Sequence, residues 1–365
     1  MQYIKTITDY LESIAPLPLQ EKYDNAGLIV GNADELIEKI LVCLDVTEKI
    51  IEEAIDSRCS MIISHHPIVF SPLKKFTGKT FVERIVQKAI KNDLALYAIH
   101  TNLDNVYYNG VNQEICNRLG IKNTRILVPK RDMLMKLTSF VPLDRTQKVL
   151  NALYDAGAGQ IGAYKNCSFR TVGTGTFMPT GDTQPFIGEK NTQEEVQEER
   201  IEVIFSAHNE KKILSALKNA HPYEEVAYYL HTLANVNQDI GSGMIGDIEP
   251  TDALTFLKHI KTIMHVGCLK YTHLITKKII KVAVCGGAGR FLLNDAIAAG
   301  ADIFITSDFK YHDFFEADRK IIVADIGHFE SEQFTIQLLQ QLLQKKFKDL
   351  FILATDFSTN PVNFL

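Results

Sequence analysis

The sequence predicts an α/β protein in which a discontinuous three-layer-type domain with a mostly parallel sheet is interrupted by an inserted ferredoxin-like α+β domain. Three observations carry this. Residues 1–126 alternate short apolar, strand-like runs with amphipathic helical patterns, the rhythm of a parallel sheet covered on both faces. The same rhythm resumes near residue 240 and runs to 365. Between them, residues 127–239 lose it: glycine is frequent in GAGQIGAYKN and VGTGTFMPTGDTQPFIG, and two strand-helix-strand units with a long hairpin replace the alternation.

The elements follow in order. Ile4, Ile7, Leu11 and Ile14 recur at helical spacing and open the chain with an amphipathic helix. KILVCLDV (39–46) is a branched apolar strand, and Thr47 is the N-cap of the helix TEKIIEEAIDS. CSMIIS (59–64) leads through a loop to the helix FVERIVQKAIKN, and LALYAIH (94–100) leads to VNQEICNRLG. In the middle, LDRTQKVLNALYDAG and EKKILSALKNAH are helical, ERIEVIFSA and VAYYLHTLA are strands, and the acidic run EKNTQEEVQEER (189–200) is expected as a solvated hairpin loop. In the last part KKIIKVAVCGG (277–287) is a strand entering a glycine turn, and FLLNDAIAAG is a helix closed by Gly300. ADIFITSD, KIIVADIGH and DLFILATD supply three more strands.

Composition narrows the function. The 365 residues hold 39 Lys plus Arg against 44 Asp plus Glu, a net charge of −5, which excludes the basic balance of a dedicated nucleic-acid binder. With 46% hydrophobic and 23% charged residues the chain is ordinary globular material, enough for about two domains. No apolar run nears the roughly 18–20 residues that cross a bilayer, and the first residues lack a signal-peptide core, so a cytoplasmic protein without a membrane partner is expected. Six scattered cysteines with no C-x-x-C leave any metal chemistry to histidine and carboxylate.

Those residues gather at strand ends. Ser64-His65-His66-Pro67 directly follows CSMIIS, His100 and Asp104 follow LALYA, and His328 follows KIIVADIG with Glu332 four residues on. In open α/β sheets the carboxyl edge is where ligands bind. A helix starting at Gly327 or His328 puts His328 and Glu332 on one face. Adjacent histidines diverge, so His65 and His66 suit two neighbouring ions better than one, with a carboxylate such as Glu332 between them. Imidazole and carboxylate without thiolate suit zinc, iron or manganese. Two divalent ions less two carboxylates leave about +2, enough to bring a bound water's pKa near 7 and to attract anions. His100 is read either as a ligand or as a group that orients ligands and transfers protons. Asp308 and His312, in SDFKYHD, follow another strand, and His312 is the candidate general acid or base.

SHHP, IHTNLD and HFESE, with YDNAGLIVG (23–31) before them and GGAGR and TSDFKYHD between, resemble the family of type 2 GTP cyclohydrolase I homologues, the dinuclear metal centre proteins. The resemblance spans nearly the whole chain; GAGQIGAYKNCSF, GTGTFMPTGDTQPFIG and HPYEEVAYYL resemble the PII-like (CutA-like) domain inserted in its longer bacterial members. It implies a two-metal site with His65, His66, Asp104, His328 and Glu332 as ligands. It also implies a homohexamer built as a trimer of dimers. Tyr23 stands where many members carry tryptophan.

Two functions follow. One is a hydrolase whose metal-bound hydroxide attacks a small anionic, nucleotide-like substrate, by GTP ring opening with formate release or by phosphoester hydrolysis. The other is a metal-binding scaffold or regulator whose PII-like insert binds an effector or partner. Of the remaining motifs, Cys285-Gly286-Gly287-Ala288-Gly289-Arg290 is better read as a tight strand-to-helix turn than as a phosphate cradle, since it lacks both the full G-x-G-x-x-G and a Walker lysine. HPYEE (221–225) reads as structural or as an interface rather than as a second metal site, and Asp24-Asn25-Ala26-Gly27 as a turn that the resemblance places close to the active-site rim.

Overall fold

The structure is a computed structural model describing residues 1–365. The chain forms two compact units, residues 1–129 with 238–365, and residues 130–237. The strand Lys122–Pro129 belongs to the first unit and pairs with Gly241–Asp252, so the border expected at 126 cuts through a strand.

The first unit holds two large sheets where the sequence predicts one mostly parallel sheet. One has the order Phe351–Ala354, Lys39–Cys43, Met61–Ser64, Ala95–Ala98, Gly27–Val30. Its first four strands run parallel and the last is antiparallel. The other has the order Lys270–Tyr271, Ile322–Asp325, Ile303–Thr306, Lys278–Val284, Gly241–Asp252, Lys122–Pro129 and is parallel only across the second to fourth strands. Strand-helix alternation reports what covers each strand and not which strand lies beside it, so two sheets and one sheet look alike in sequence.

The cores explain why the strand ends are fixed in space. Leu41, Ile62 and Leu96 bury one face of the first sheet against Ile50, Ile51, Ile85 and Val86 of the helices Glu48–Asp56 and Phe81–Lys91. Ala283, Phe304 and Val323 of the second sheet pack with Leu292, Leu293 and Ala296. Each fully buried large side chain contributes about 1.5–3 kcal/mol. Thr47 caps its helix as expected, accepting from Ile50 N at 3.3 Å, and Thr80 accepts from Glu83 N at 3.2 Å, each a contribution of about 1 kcal/mol. Gly300, at φ 72°, follows the helix Leu293–Ala298. No helix is long and apolar enough to cross a membrane.

The second unit runs strand, helix, strand, strand, helix, strand, the order of a ferredoxin-like fold. Its sheet is antiparallel, with Leu134–Pro142 and Glu194–Ser206 central and Tyr228–Thr232 and Phe169–Phe177 at the edges. Leu137, Leu150, Ile201, Val203, Ile213 and Leu217 form its core. The acidic run expected as a loop is strand from Glu194 onward, Val196 pairing with Gly175 and Glu198 with Gly173. Ladder hydrogen bonds to the neighbouring strand override the poor strand propensity of its glutamates.

Candidate metal centre

The predicted ligands converge at the carboxyl ends of both sheets of the first unit. His65 and His66 leave the Met61–Ser64 strand, and the adjacent strand's end holds them: His65 N donates to Cys43 O at 3.3 Å and His66 N to Leu44 O at 3.0 Å. Asp104 closes the one-turn helix Thr101–Asp104, its N–H donating to His100 O at 3.2 Å. His328 and Glu332 begin and end the short helix His328–Glu332, entered through Gly327 at φ 91°.

Glu332 stands between two sets of ligand atoms. Its Oε2 lies 3.0 Å from His66 Nε2 and 3.1 Å from His328 Nε2, and the two nitrogens are 3.3 Å apart. Its Oε1 lies 3.8 Å from His65 Nε2, which is 3.6 Å from Asp104 Oδ1. Each set falls within 4.8 Å, the reach of a single metal ion's ligands; His65, His66 and His100 form a third set of that size, against the expectation that adjacent histidines stay apart.

The far side of each ring fixes its tautomer. Nδ1 of His66 donates to Asp45 at 2.7 Å, that of His328 to Asp308 at 2.7 Å, that of His65 to the Ile99 carbonyl at 2.8 Å and that of His100 to Asp24 at 2.8 Å. With each Nδ1 committed to its acceptor, Nε2 is the nitrogen left to face a metal once its proton is displaced, the arrangement that second partners impose on metal-binding imidazoles. Asp45 and Asp24 are residues of the cluster that the sequence does not nominate as ligands or catalytic groups. Asp45 carries the signal already used for the histidines, since it follows the strand Lys39–Cys43 by two residues. Asp24 belongs to the segment read as a turn, which the family resemblance places close to the active-site rim.

The ligand atoms fit a cation. His65 Nε2, Asp104 Oδ1 and Glu332 Oε2 are buried and have no aligned hydrogen-bond partner. Bonds of about 2.0–2.2 Å to one ion set its ligand atoms roughly 3.0–3.4 Å apart, which is the spacing of the His66, His328 and Glu332 set. The electrostatics agree. Burial opposes charge on His66, but the adjacent carboxylates of Asp45 and Glu332 outweigh it and raise the pKa to about 10; Asp308 and Glu332 do the same for His328, to about 11. His65 is lowered by complete burial, although Glu332 pulls it the other way. Burial and then the Glu332 charge push Asp104 well above the carboxylate range, while the three imidazoles crowded against it hold Glu332 well below it despite burial. The cluster therefore binds positive charge, whether proton or metal.

Gly287, at φ 63°, makes room for Glu332: a Cβ there would strike Glu332 Oε1. The amides of its turn are spent internally, Gly286 N on Asn112 Oδ1, Gly287 N on Ser331 Oγ and Gly289 N on Thr306 Oγ1, each at 2.9 Å. Arg290 pairs with Asp313 and Glu316. The segment is thus a turn and not a phosphate cradle. His221 of HPYEE is likewise structural, with Nε2 on Phe140 O at 2.9 Å and Nδ1 accepting from Tyr223 N at 3.1 Å.

Above the cluster opens a cavity of about 1450 Å³, which His66, His100 and His328 line. His312 does not: it is exposed and packs its ring on Tyr311 and Phe315, because the loop after Ile303–Thr306 turns into a 3-10 segment that carries it outward. The structure thus provides no support for His312 as the acid or base. Lys270 is the only Lys or Arg on the cavity wall, and it is tied to Asp325 at 2.7 Å.

Residues 2–361 match the family model described as Duf34/NIF3 (NGG1p interacting factor 3). The chain belongs to the Duf34/NIF3 family. It is similar to two proteins called "GTP cyclohydrolase 1 type 2 homolog": one from Halalkalibacterium halodurans, 38% identical over 99% of this chain and 98% of that one, and one from Bacillus subtilis, 35% identical over 98% of each. Among solved structures, a Bacillus cereus protein related to NIF3 superposes with a TM-score of 0.86 at 36% identity, covering 100% of this chain and 99% of the other. A Staphylococcus aureus protein follows at 0.79 and 26%, with the same coverage. Membership in the NIF3 family accounts for the whole chain, middle segment included.

Proposed function

We propose that this NIF3-family chain is a dinuclear-metal hydrolase acting on a small anionic, nucleotide-like substrate, by GTP ring opening with formate release or by phosphoester hydrolysis. The observation that carries it is Glu332, which offers one oxygen to His66 and His328 and the other to His65 and Asp104 at a cavity floor. Those five residues would hold two divalent ions of zinc, iron or manganese. When bound, such ions supply Lewis acidity and lower the pKa of water toward neutrality. The chain's own residues do the rest. Asp45, Asp308 and Asp24 hold imidazoles in position, and His100, whose Nδ1 is engaged by Asp24, has Nε2 left to take or give a proton at the cavity wall.

Charge supports the proposed substrate class. The cavity wall carries Glu21, Asp45, Asp308, Asp325, Glu330 and Glu332 against a single, already paired lysine, so cation in the cluster is what draws an anion there. The names of the relatives support a nucleotide. The test is turnover of GTP and a phosphoester panel by zinc-, manganese- or iron-loaded protein against the chelated form. Activity is expected in the loaded protein alone, and its loss in His66→Ala and Glu332→Ala with circular dichroism unchanged. No turnover on any substrate with any of the metals sinks the hydrolase.

A second reading, a scaffold or regulator without turnover, is favoured by the 130–237 unit, which has its own core and its own cavity of about 910 Å³. We also propose the homohexameric, trimer-of-dimers assembly; exposed Tyr311, Phe315 and Phe291 on the first unit are surface that assembly would cover, and light scattering reads six protomer masses or not.

A further inference from the structure

Residues 355–365 do more than trail from the strand Phe351–Ala354. Thr355 N donates to Val42 O at 2.9 Å and its hydroxyl to Glu53 at 2.5 Å, which starts the segment along the first sheet; Lys49 then lies 3.7 Å over the Phe357 ring. At Thr359 the segment reaches the cavity. The Thr359 hydroxyl donates to Asp45 Oδ2 at 2.6 Å, while the other oxygen of the same carboxylate accepts from His66 Nδ1 at 2.7 Å. One residue later Asn360 Nδ2 donates to Glu330 Oε1 at 3.1 Å, on the helix that carries His328 and Glu332. Phe364 ends against Gly267, where a Cβ would meet its ring at 2.6 Å. Thr359, Asn360, Pro361, Val362 and Phe364 all line the cavity.

We propose that residues 357–365 are a strap that completes the metal centre, with Thr359 as a positioning residue: it locks the Asp45 carboxylate, which in turn aims His66, while Asn360 ties the same segment to the His328–Glu332 helix. This rests on the cluster being a metal centre. The chemistry is specific to the hydroxyl. An Asp45 carboxylate bonded at one oxygen only is free to rotate about its χ2 torsion, and the His66 ring follows it; bonded at both oxygens, it has one orientation. Because the strap grips the ends of both sheets, it also fixes the separation between His66 and His328, which come from different sheets.

The test uses the full chain. Metal-free protein is titrated calorimetrically with Mn²⁺ and with Zn²⁺, as wild type, Thr359→Val, Thr359→Ser and a chain stopped after Asp356. In the first three, amide exchange at residues 44–47 is followed by mass spectrometry. Thr359→Val keeps size and branching and loses only the hydroxyl, so an affinity loss of about 10- to 100-fold is expected, with rescue by Thr359→Ser and at least the same loss in the shortened chain. Wild-type affinity in both Thr359→Val and the shortened chain overturns the strap. If the wild type itself binds no divalent ion, the metal reading has failed, and exchange at 44–47 decides the strap alone: faster in Thr359→Val than in wild type and Thr359→Ser supports it, unchanged overturns it.

Discussion

Glu332 is the residue on which the proposed centre turns, because it alone sets one oxygen beside His66 and His328 and the other beside His65. Its carboxylate is buried, and the imidazoles of His328, His65 and His66 beside it hold it ionised. Glu332→Gln keeps the shape but exchanges one oxygen for an NH₂, which donates hydrogen and cannot ligate. If the proposed two-ion centre holds, elemental analysis after metal loading falls from two ions per chain in the wild type to one or none in the variant, with the secondary structure intact; a full complement in the variant would show that Glu332 does not bridge. Asp24 makes a different kind of contribution. Burial alone would raise its pKa, but hydrogen bonds from His100 and Thr101 outweigh burial and hold it at about 2. A depressed carboxylate stabilises the fold above its ordinary pKa and loses that contribution as pH falls through its folded value. Denaturant titrations should therefore find Asp24→Asn less stable than wild type by a constant amount from pH 5 to 7. The gap should shrink between about pH 4 and pH 2. A difference that persists unchanged at pH 2 would mean the carboxylate's charge was not the cause.

At the scale of elements the site is a set of strand ends, and the glycine turn after Lys278–Val284 is the tightest of them. Gly287 combines a left-handed φ with the space that Glu332 occupies. Gly287→Ala is expected to cost about 1–3 kcal/mol from backbone strain and to displace the Glu332 carboxylate, so both the denaturation midpoint and the metal affinity should fall together. A stability loss with unchanged metal affinity would separate the turn from the centre. The same elements show what a sequence discloses. His65, His66, Asp104, His328 and Glu332 were legible because each follows one of three apolar strands within a few residues, a relation written locally in the chain. Asp45 and Asp24 act on histidines 21 and 76 residues away, and only strand adjacency brings them there. Strand order is likewise non-local, which is why one predicted sheet proved to be two. His312 also follows a strand, yet a 3-10 turn points it to solvent, so position after a strand nominates a residue without aiming its side chain.

For the whole molecule, the register of a single antiparallel pair sets how the middle segment enters. Pro129, the last residue of its strand, lies directly opposite Gly241, the first of the partner strand. Residues 130–237 thus leave and return at neighbouring points of the first unit, as a long excursion from the end of a hairpin. Loop-closure cost grows only as the logarithm of loop length, so the excursion weakens this pairing little, and replacing it by a short turn should not weaken it at all. All five proposed ligands, the four groups that hold their Nδ1 atoms or His100, and the 355–365 segment lie in the first unit, which has its own cores in both sheets. A chain in which Pro129 is joined to Asp239 by a two- to four-residue glycine-asparagine turn is therefore expected to unfold cooperatively and to bind the same number of Mn²⁺ ions as the full chain. Calorimetric melting and metal titration measure both. Loss of the cooperative transition would show that the 130–237 unit is needed for the first unit to fold. A folded product with fewer ions would show that the middle unit supports the metal centre, and would favour the regulatory reading over an enzyme whose centre is self-sufficient.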